Sequence, residues 1–568
     1  MLSDLFLAMA SSSHTTQVPA TVGAQAVVEA LLRSGIHFGF GIPSIHNIAI
    51  YEGLRQARQF HHWVVRHEQA AGYAADAFFR HSGRIAAVFA STGPGNLFTL
   101  VPLLESLQTG TPMLLVGTNI ASSLQSGRGG ALHETPNQFD IIRPLTRFAR
   151  RVATPDEIPA AFAEAAAMLH GPSPGPAFIE IPHDFLYAPL SAASAVAAAK
   201  PPARPSVSPS LLAAAIGLLE ASKRPVIVLG AGVHGGPACT LQLAELLQSP
   251  VLTTTSGKGQ IAGDHPLSAG CLSRLGAVQD LLSEADLLVT VGAKLTEFDT
   301  GRYSLKFPAQ HLQIVEDQSY PGDRFPATLQ LAGGVATVCP ALAGKAKSRT
   351  AWFDLASMRT QESQRLESLN AGAYTALKLL RRALHRDDVV VNDQSILNYW
   401  ASAFFPVLEP GTFLYPSGSG TLGYALPAAV GVACAMQATG RHRRIVCIAG
   451  DGGFQYTLHE LATIAQFKLP VKILLVNDHA YGVIGFLQRS MFGQTHEVAL
   501  TNPDFCKLAQ AYGIAAESIA TVDQLEQRLP GWLDAPGPSL LEWQTELQAP
   551  WEAGAIPRPT GVTPAGQK

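Results

Sequence analysis

The stretch GDGGFQYTLHELATIAQFKLPVKILLVND, Gly450 to Asp478, reads as one strand–helix–strand unit of a parallel sheet. An apolar run at 445–448 leads into Gly450-Asp451-Gly452, a helical segment covers 458–466, and a second apolar run at 472–476 ends at Asn477-Asp478. Both strand ends therefore lie at the carboxyl edge of the sheet, where α/β folds place their ligands. Two oxygen ligands about 27 residues apart in sequence, the separation of Asp451 and Asp478, can converge there on one small cation. Mg²⁺ suits such a place, because it wants oxygen ligands and commonly shares itself with phosphates. Gly452 and Gly453 carry no Cβ, so N–H groups at the helix start can approach a diphosphate.

Outward from this unit, short apolar runs keep alternating with helical stretches. Runs at 389–392, 445–448 and 472–476 mark one block over 369–550. Runs at 225–229, 251–253 and 287–291 mark another over 210–345. Runs at 85–89 and 113–116, with helices at 25–34 and 97–107 (kinked at Pro102), mark a block over 19–190. Apolar strands spaced by helices specify parallel sheets covered on both faces. The expected fold class is thus α/β, with three doubly wound parallel-sheet domains. A chain of 568 residues exceeds what one core supports, which agrees. Residues 191–209 read as an Ala/Pro/Ser-rich linker, 346–368 as a polar linker helix, and 551–568 as a flexible tail.

Composition narrows the partners. Hydrophobic residues make up 47% and charged ones 15%, and the formal charge of −3 recruits neither nucleic acid nor an anionic membrane. No apolar run reaches the ~18–20 residues of a bilayer span. The opening MLSDLFLAMASSSHTT has Asp4 and no basic lead, which argues for a frayed extension over a secretory signal. Six scattered cysteines without a CxxC pair read as reduced thiols and fit the cytoplasm.

Further motifs sit at other strand ends. They are Gly41-Ile42-Pro43-Ser44-Ile45-His46, Arg66-His67-Glu68-Gln69-Ala70-Ala71-Gly72, Thr92-Gly93-Pro94-Gly95-Asn96, Leu132-His133-Glu134-Thr135, Asn392-Asp393-Gln394-Ser395 and Ser417-Gly418-Ser419-Gly420-Thr421-Leu422-Gly423. Taken singly, each has an ordinary reading: a solvated Glu, a Gly-Pro turn, a satisfied His.

Together with the Gly450–Asp478 signature they resemble thiamine-diphosphate enzymes of the acetolactate synthase-like branch. GIPSIHN, RHEQAAG and LHET also look like decarboxylases of guanidino 2-oxo acids. The resemblance covers about 19–550, in the order pyrimidine-binding, central Rossmann-like and diphosphate-binding domain. It implies that Asp451, Asp478 and the carbonyl of Ala480 hold Mg²⁺, with Asp478 standing where Asn is usual. It implies that Glu68 hydrogen-bonds the aminopyrimidine, a role suited to a partly buried carboxyl of raised pKa. Leu422 would wedge between the two cofactor rings, the Gly420 carbonyl would accept from the amino group, and Gln394 and Ser395 would face the diphosphate. Pro43 and Thr92 match the pyrimidine side. His46 and His133 match substrate-contacting positions, the latter more often Gln.

The central block carries Val228-Leu229-Gly230-Ala231-Gly232, an incomplete dinucleotide loop. Ser256-Gly257-Lys258-Gly259 and Glu297-Phe298-Asp299 stand where flavin-contacting patterns would be, so no FAD is expected. The implied activity is decarboxylation of a 2-oxo acid followed by carboligation. Two alternatives stay open: simple decarboxylation of a longer or guanidino 2-oxo acid, and a non-catalytic paralogue retaining the fold. The domain order implies a homodimer or homotetramer in which Glu68 of one chain meets Asp451 of another.

Overall fold

The computed structural model describes residues 21–125, 129–191, 203, 205–233, 237–316 and 324–558. The expectations for residues 1–20, for most of the 191–209 linker and for 559–568 fall outside them.

Three six-stranded parallel sheets form the framework. The first contains β1 (Phe38–Gly41), β2 (His61–Val64), β3 (Ala86–Ala90), β4 (Met113–Asn119), β5 (Phe148–Arg151) and β6 (Pro176–Pro182), in the order β2-β1-β3-β4-β6-β5. The second contains β7 (Pro225–Leu229), β8 (Val251–Thr253), β9 (Ser268–Cys271), β10 (Leu287–Val291), β11 (Gln310–Val315) and β12 (Leu329–Ala332), in the order β12-β11-β10-β7-β8-β9. The third contains β13 (Val389–Asn392), β14 (Phe413–Leu414), β15 (Ile445–Gly450), β16 (Val471–Asn477), β17 (Ala515–Ile519) and β18 (Ser539–Gln544), in the order β14-β13-β15-β16-β18-β17. Every residue of β4, β15 and β16 is buried, as a sheet covered by helices on both faces requires.

The first and third sheets share one topology, and their strand order reverses between β1 and β3 and between β13 and β15. Crevices for ligands open at such switch points. The loops after these four strands carry Pro43, Thr92, Gln394 and Asp451.

Six helices position the site: α1 (Gly23–Arg33), α2 (Glu68–Ser82), α3 (Leu100–Thr109), α4 (Ile396–Phe404), α5 (Ala425–Thr439) and α6 (Asp451–Thr457). Both α2 and α5 are rich in alanine, and they pack together in a core shared by the first and third sheets. Their approach is close: a Cβ on Gly431 would stand 2.1 Å from the carbonyl oxygen of Ala74.

Three expectations need correction. The linker helix expected over 346–368 is helical only over Leu355–Ser368, with Asp354 as its N-cap. The helix expected over 97–107 divides into Pro94–Leu97 and α3. Pro102 lies in the first turn of α3, where its missing N–H interrupts nothing, so it produces no kink. Its ring instead packs on α2, 2.5 Å from where a Gly72 Cβ would be. The tail is not free over 551–556. Trp551 meets Tyr399 edge-on and Phe486 at a tilt, and Arg365 donates to the carbonyls of Gly554 and Ala555. One aromatic anchor suffices there without any periodic pattern.

Candidate active site

The carboxyl edge of the third sheet gathers one group of residues. Asp451 opens α6 and is buried, and Asp478 follows β16 directly. The two carboxyl groups lie within hydrogen-bonding reach of each other. Burial, and after it the Asp451 charge, pushes Asp478 up to about 7. Asn502 Nδ2 donates to Asp451 at 2.6 Å and to Asn477 Oδ1 at 2.8 Å, bridging the ends of β15 and β16. Ala480 N–H donates to Asp478 Oδ1 at 3.2 Å. Two carboxyls forced together are a donor set that a cation relieves, so the residues fit Mg²⁺.

The glycines here are cradle positions. A Cβ would meet Ser395 Cβ at 2.9 Å on Gly450, Tyr481 at 2.6 Å on Gly452, and Asp393 Oδ1 at 2.6 Å on Gly453. Ser395 is the N-cap residue of α4, so the starts of α4 and α6 face each other across Gly450. Their first-turn N–H groups favour a diphosphate. Gln394 accepts from the Tyr415 hydroxyl through Oε1 and so turns its amide nitrogen away from that bond, toward Gly420.

The loop 415–425 is tied from all sides. Asp393 is buried and accepts from the N–H groups of Gly423 and Ala425, fixing the start of α5 just beyond Leu422. Glu105 of α3 accepts from the N–H groups of Gly418 and Ser419 and from the Ser419 hydroxyl. Tyr73 of α2 shares a hydrogen bond with Thr421, and Ser256 of the central domain with Ser417.

The edge of the first sheet gathers a second group. Glu68 is half-buried at the first position of α2, and the His67 side chain caps that helix by accepting from Gln69 N–H. A Cβ on Gly95 would stand 3.0 Å from the Glu68 carboxylate. Gly93, at φ 68°, presses on the chain at position 133: a Cβ would lie 2.4 Å from the His133 carbonyl. Thr92 is buried beside Thr118, and Gln138 accepts from Gly93 N–H. The Pro43 loop is closed by Asn47, which accepts from Ser44 N–H and donates to the Ile42 carbonyl. His46 is buried between His133 and His183, with ring centroids 5.2 and 5.1 Å away. Burial, then those two neighbours, lowers it to about 4.

The structure thus brings Asp451, Asp478, Ala480, Gly450, Gly452, Gly453, Ser395, Gln394, Gly420 and Leu422 to one edge. It brings Glu68, Pro43, Thr92, His46 and His133 to another. It does not join the two edges within one chain. Arg66 N–H donates to Glu460 and His67 faces His459, so Glu68 stands at the far end of the segment that begins at Asp451. Nine residues of that segment span roughly 13 Å of helix.

Sequence reasoning missed Asp393, Asn502, Glu105, Gln138 and His183. Asp393 stood inside a quoted motif, but the others belong to no short pattern. Of the central-domain segments, Lys258 makes a contact between domains, its Nζ donating to the carbonyls of Ala401 and Ser402 at the end of α4, while Asp299 accepts from Thr255 N–H within the central domain. A cavity of about 1280 Å³ between the domains reaches from Gly232 and Thr296 to Gln394 and Gly420.

A fold with two such edges defines an enzyme that holds a diphosphate cofactor between two related sheets. Models of the thiamine pyrophosphate enzyme family match it in three places: the N-terminal TPP binding domain over 21–141, the central domain over 212–342 and the C-terminal TPP binding domain over 393–543. The chain is 32% identical over 528 residues to the "Probable 2-ketoarginine decarboxylase AruI" of Pseudomonas aeruginosa, covering 91% of this chain and 93% of that one. It is 28% identical to the acetolactate synthase isozyme 1 large subunit of Escherichia coli, covering 95% and 97%. A solved structure from Mycobacterium smegmatis shares the fold, with a TM-score of 0.78 over 93% of this chain and 100% of that one at 24% identity. The chain belongs to the thiamine pyrophosphate enzyme family, and its cofactor is thiamine diphosphate.

Proposed function

We propose that the protein is a thiamine-diphosphate- and Mg²⁺-dependent decarboxylase and carboligase of 2-oxo acids, resembling acetolactate synthase. The observation that carries this reading is the presence of both half-sites in one chain: Glu68 at the first sheet edge, Asp451 with Asp478 at the third. When bound, the cofactor supplies the carbon that adds to the 2-oxo group and the electron sink that lets carbon dioxide leave.

The chain's own residues bind, orient and move protons. Asp451, Asp478 and the Ala480 carbonyl hold Mg²⁺. Gln394, Ser395 and the N–H groups beside Gly450, Gly452 and Gly453 hold the diphosphate. Leu422 and the Gly420 carbonyl set the posture of the two rings, while Pro43 and Thr92 line the pyrimidine. Glu68 shares a proton with that ring, and His46 and His133 face the substrate.

Each half-site borders exposed apolar side chains. Ile45, Ile48, Phe98 and Leu132 (61% exposed) stand on the segments that carry His46, His133 and the Thr92 turn, Phe98 against the His67 ring, and Tyr456, Ile484 and Phe492 (67% exposed) on α6 and on the helix Gly482–Phe492 that follows Asp478. Two such patches suit a second copy of the chain, turned so that each first sheet edge meets the other chain's third. The functional unit in this reading is a homodimer, alone or doubled into a tetramer. Its thiols, all free among the described residues, suit a reducing cytoplasm. Among the described residues no helix is long and apolar enough to cross a membrane.

A second reading, decarboxylation without ligation, is favoured by the 32% identity to a protein named as a 2-ketoarginine decarboxylase. One experiment tests both. Carbon dioxide release and products are followed on pyruvate and on 2-ketoarginine, with cofactor and Mg²⁺. Acetolactate from pyruvate supports ligation, and an aldehyde from 2-ketoarginine with pyruvate inert supports the second reading. Absence of turnover on a broad 2-oxo acid panel overturns both.

A further inference from the structure

The loop that carries Gly420 and Leu422 is held by the N-terminal domain of its own chain. Glu105 is fully buried and takes three hydrogen bonds from the loop: Ser419 N–H at 2.6 Å, Ser419 Oγ at 2.8 Å and Gly418 N–H at 3.1 Å. It pairs with Arg80, whose Nη2 donates at 2.8 Å and whose Nε lies 3.0 Å from the buried carboxylate of Asp76 as well. The same guanidinium donates through Nη1 to the Tyr415 carbonyl at 2.9 Å, and the Tyr415 hydroxyl donates to Gln394. One buried cluster, Glu105 with Arg80 and Asp76, therefore grips the loop at 415 and at 418–419. Charge-assisted bonds of this kind are short and directional, and removing one partner leaves the other charge buried. The close seat agrees: a Cβ on Gly418 would lie 2.7 Å from the Glu105 carbonyl.

Arg80 sits near the end of α2 and Glu68 at its start, twelve residues or about 18 Å apart along the helix. In the dimer proposed above, Glu68 serves the loop and cation edge of the other chain. We infer that Glu105 and Arg80 are positioning residues for the chain's own cofactor loop, so that every active site draws on the N-terminal domains of both chains. One supplies Glu68 from the start of α2, the other supplies the Arg80–Glu105 grip from its end. The inference rests on the dimeric reading of the function.

Hybrid dimers separate the two contributions. Chains carrying different affinity tags are mixed, and dimers bearing both tags are isolated and assayed. Glu105→Gln is the main variant. Glu105→Asp, which keeps the charge beside Arg80 and retracts it by one methylene, is carried in parallel so that a foldable form is at hand. Each homodimer is expected to lose at least about tenfold in kcat, or ~1.4 kcal/mol of barrier. A hybrid of a Glu68→Gln chain with a Glu105→Gln chain places both defects in one site and leaves the other intact, so about half of wild-type activity remains. A hybrid of the doubly substituted chain with wild type has a defect in each site and falls to the homodimer level. The reverse pattern, with the double variant half active and the single-variant hybrid inactive, overturns the assignment. Equal activity of the two hybrids overturns it as well.

A second readout needs no turnover. In cofactor-free protein, Glu105→Gln is expected to speed hydrogen exchange in peptides spanning 417–422 at least about tenfold while leaving 396–404 unchanged. Unchanged exchange at 417–422 disproves the grip even in a protein that turns over nothing, and faster exchange in a catalytically silent wild type retires only the functional reading.

Discussion

Asp451 and Asp478 bring their carboxyl groups together across the ends of β15 and β16, and burial, then its partner's charge, pushes Asp478 up to about 7. In the absence of a cation the pair keeps a proton that an ordinary aspartate would have lost. Mg²⁺ must displace that proton, so its binding is expected to tighten as pH rises toward 7 and to level off above it. Asp478→Asn retains an oxygen ligand without the competing proton and should abolish the slope. Calorimetry of Mg²⁺-dependent cofactor binding at pH 6, 7 and 8 checks this. An equal slope in wild type and variant would show that the proton is not the competitor.

Glu68 begins α2 against the Gly95 turn, at the sheet edge that does not carry Asp451 and Asp478. Its replacement by Gln keeps size and polarity and removes the acid. Cofactor binding should persist while most turnover disappears. Activity within about twofold of wild type, only ~0.4 kcal/mol of barrier, rules the role out.

Gly431 of α5 sits where a Cβ would lie 2.1 Å from the Ala74 carbonyl of α2. All three atoms such a Cβ would meet first, the Ala74 carbonyl oxygen, carbonyl carbon and Cα, are backbone, so no flexible side chain can yield. Gly431→Ala should force the two helices apart and destabilise by about 1–3 kcal/mol. Because α2 and α5 also carry Glu68 and the end of the Leu422 loop, turnover should fall with stability. A melting temperature unchanged by the substitution would mean that the helices separate freely.

How far the sequence reaches follows from what each residue does. The sheet edges were legible because strands, glycine turns and their charged followers are contiguous: Gly450 to Gly453, Thr92 to Gly95, Glu68 after β2. The grouping of His46 with His133 was legible only through family likeness, and His183, the third ring, was not, since a His after an apolar strand carries no local signal. Glu105 was hidden in an amphipathic helix whose pattern calls for no acid at that place. Its reason is a loop more than 300 residues away, and such contacts are invisible until the chain is folded. Pro102 misled for the opposite cause: its position relative to the helix start, not its presence, decides whether a helix bends.

His46 gives a pH test that requires no substrate. In the unfolded chain its ring takes a proton near pH 6.5, whereas in the folded protein burial, His183 and His133 hold it at about 4. Between those values the unfolded state binds a proton that the native state refuses, so ∂ΔG/∂pH is positive there. Stability present above pH 6.5 is therefore lost as pH falls toward 4, and no more is lost to this group below that. The neighbouring rings face His46 from the 133 segment and from the end of β6. Gln at position 46 does not titrate and should flatten this part of the profile while His133 and His183 remain. Urea midpoints of wild type and His46→Gln at pH 5 and pH 7 measure the difference. The gap between the two midpoints should be larger for wild type, and a variant that loses as much stability as wild type on acidification would assign the loss to other groups.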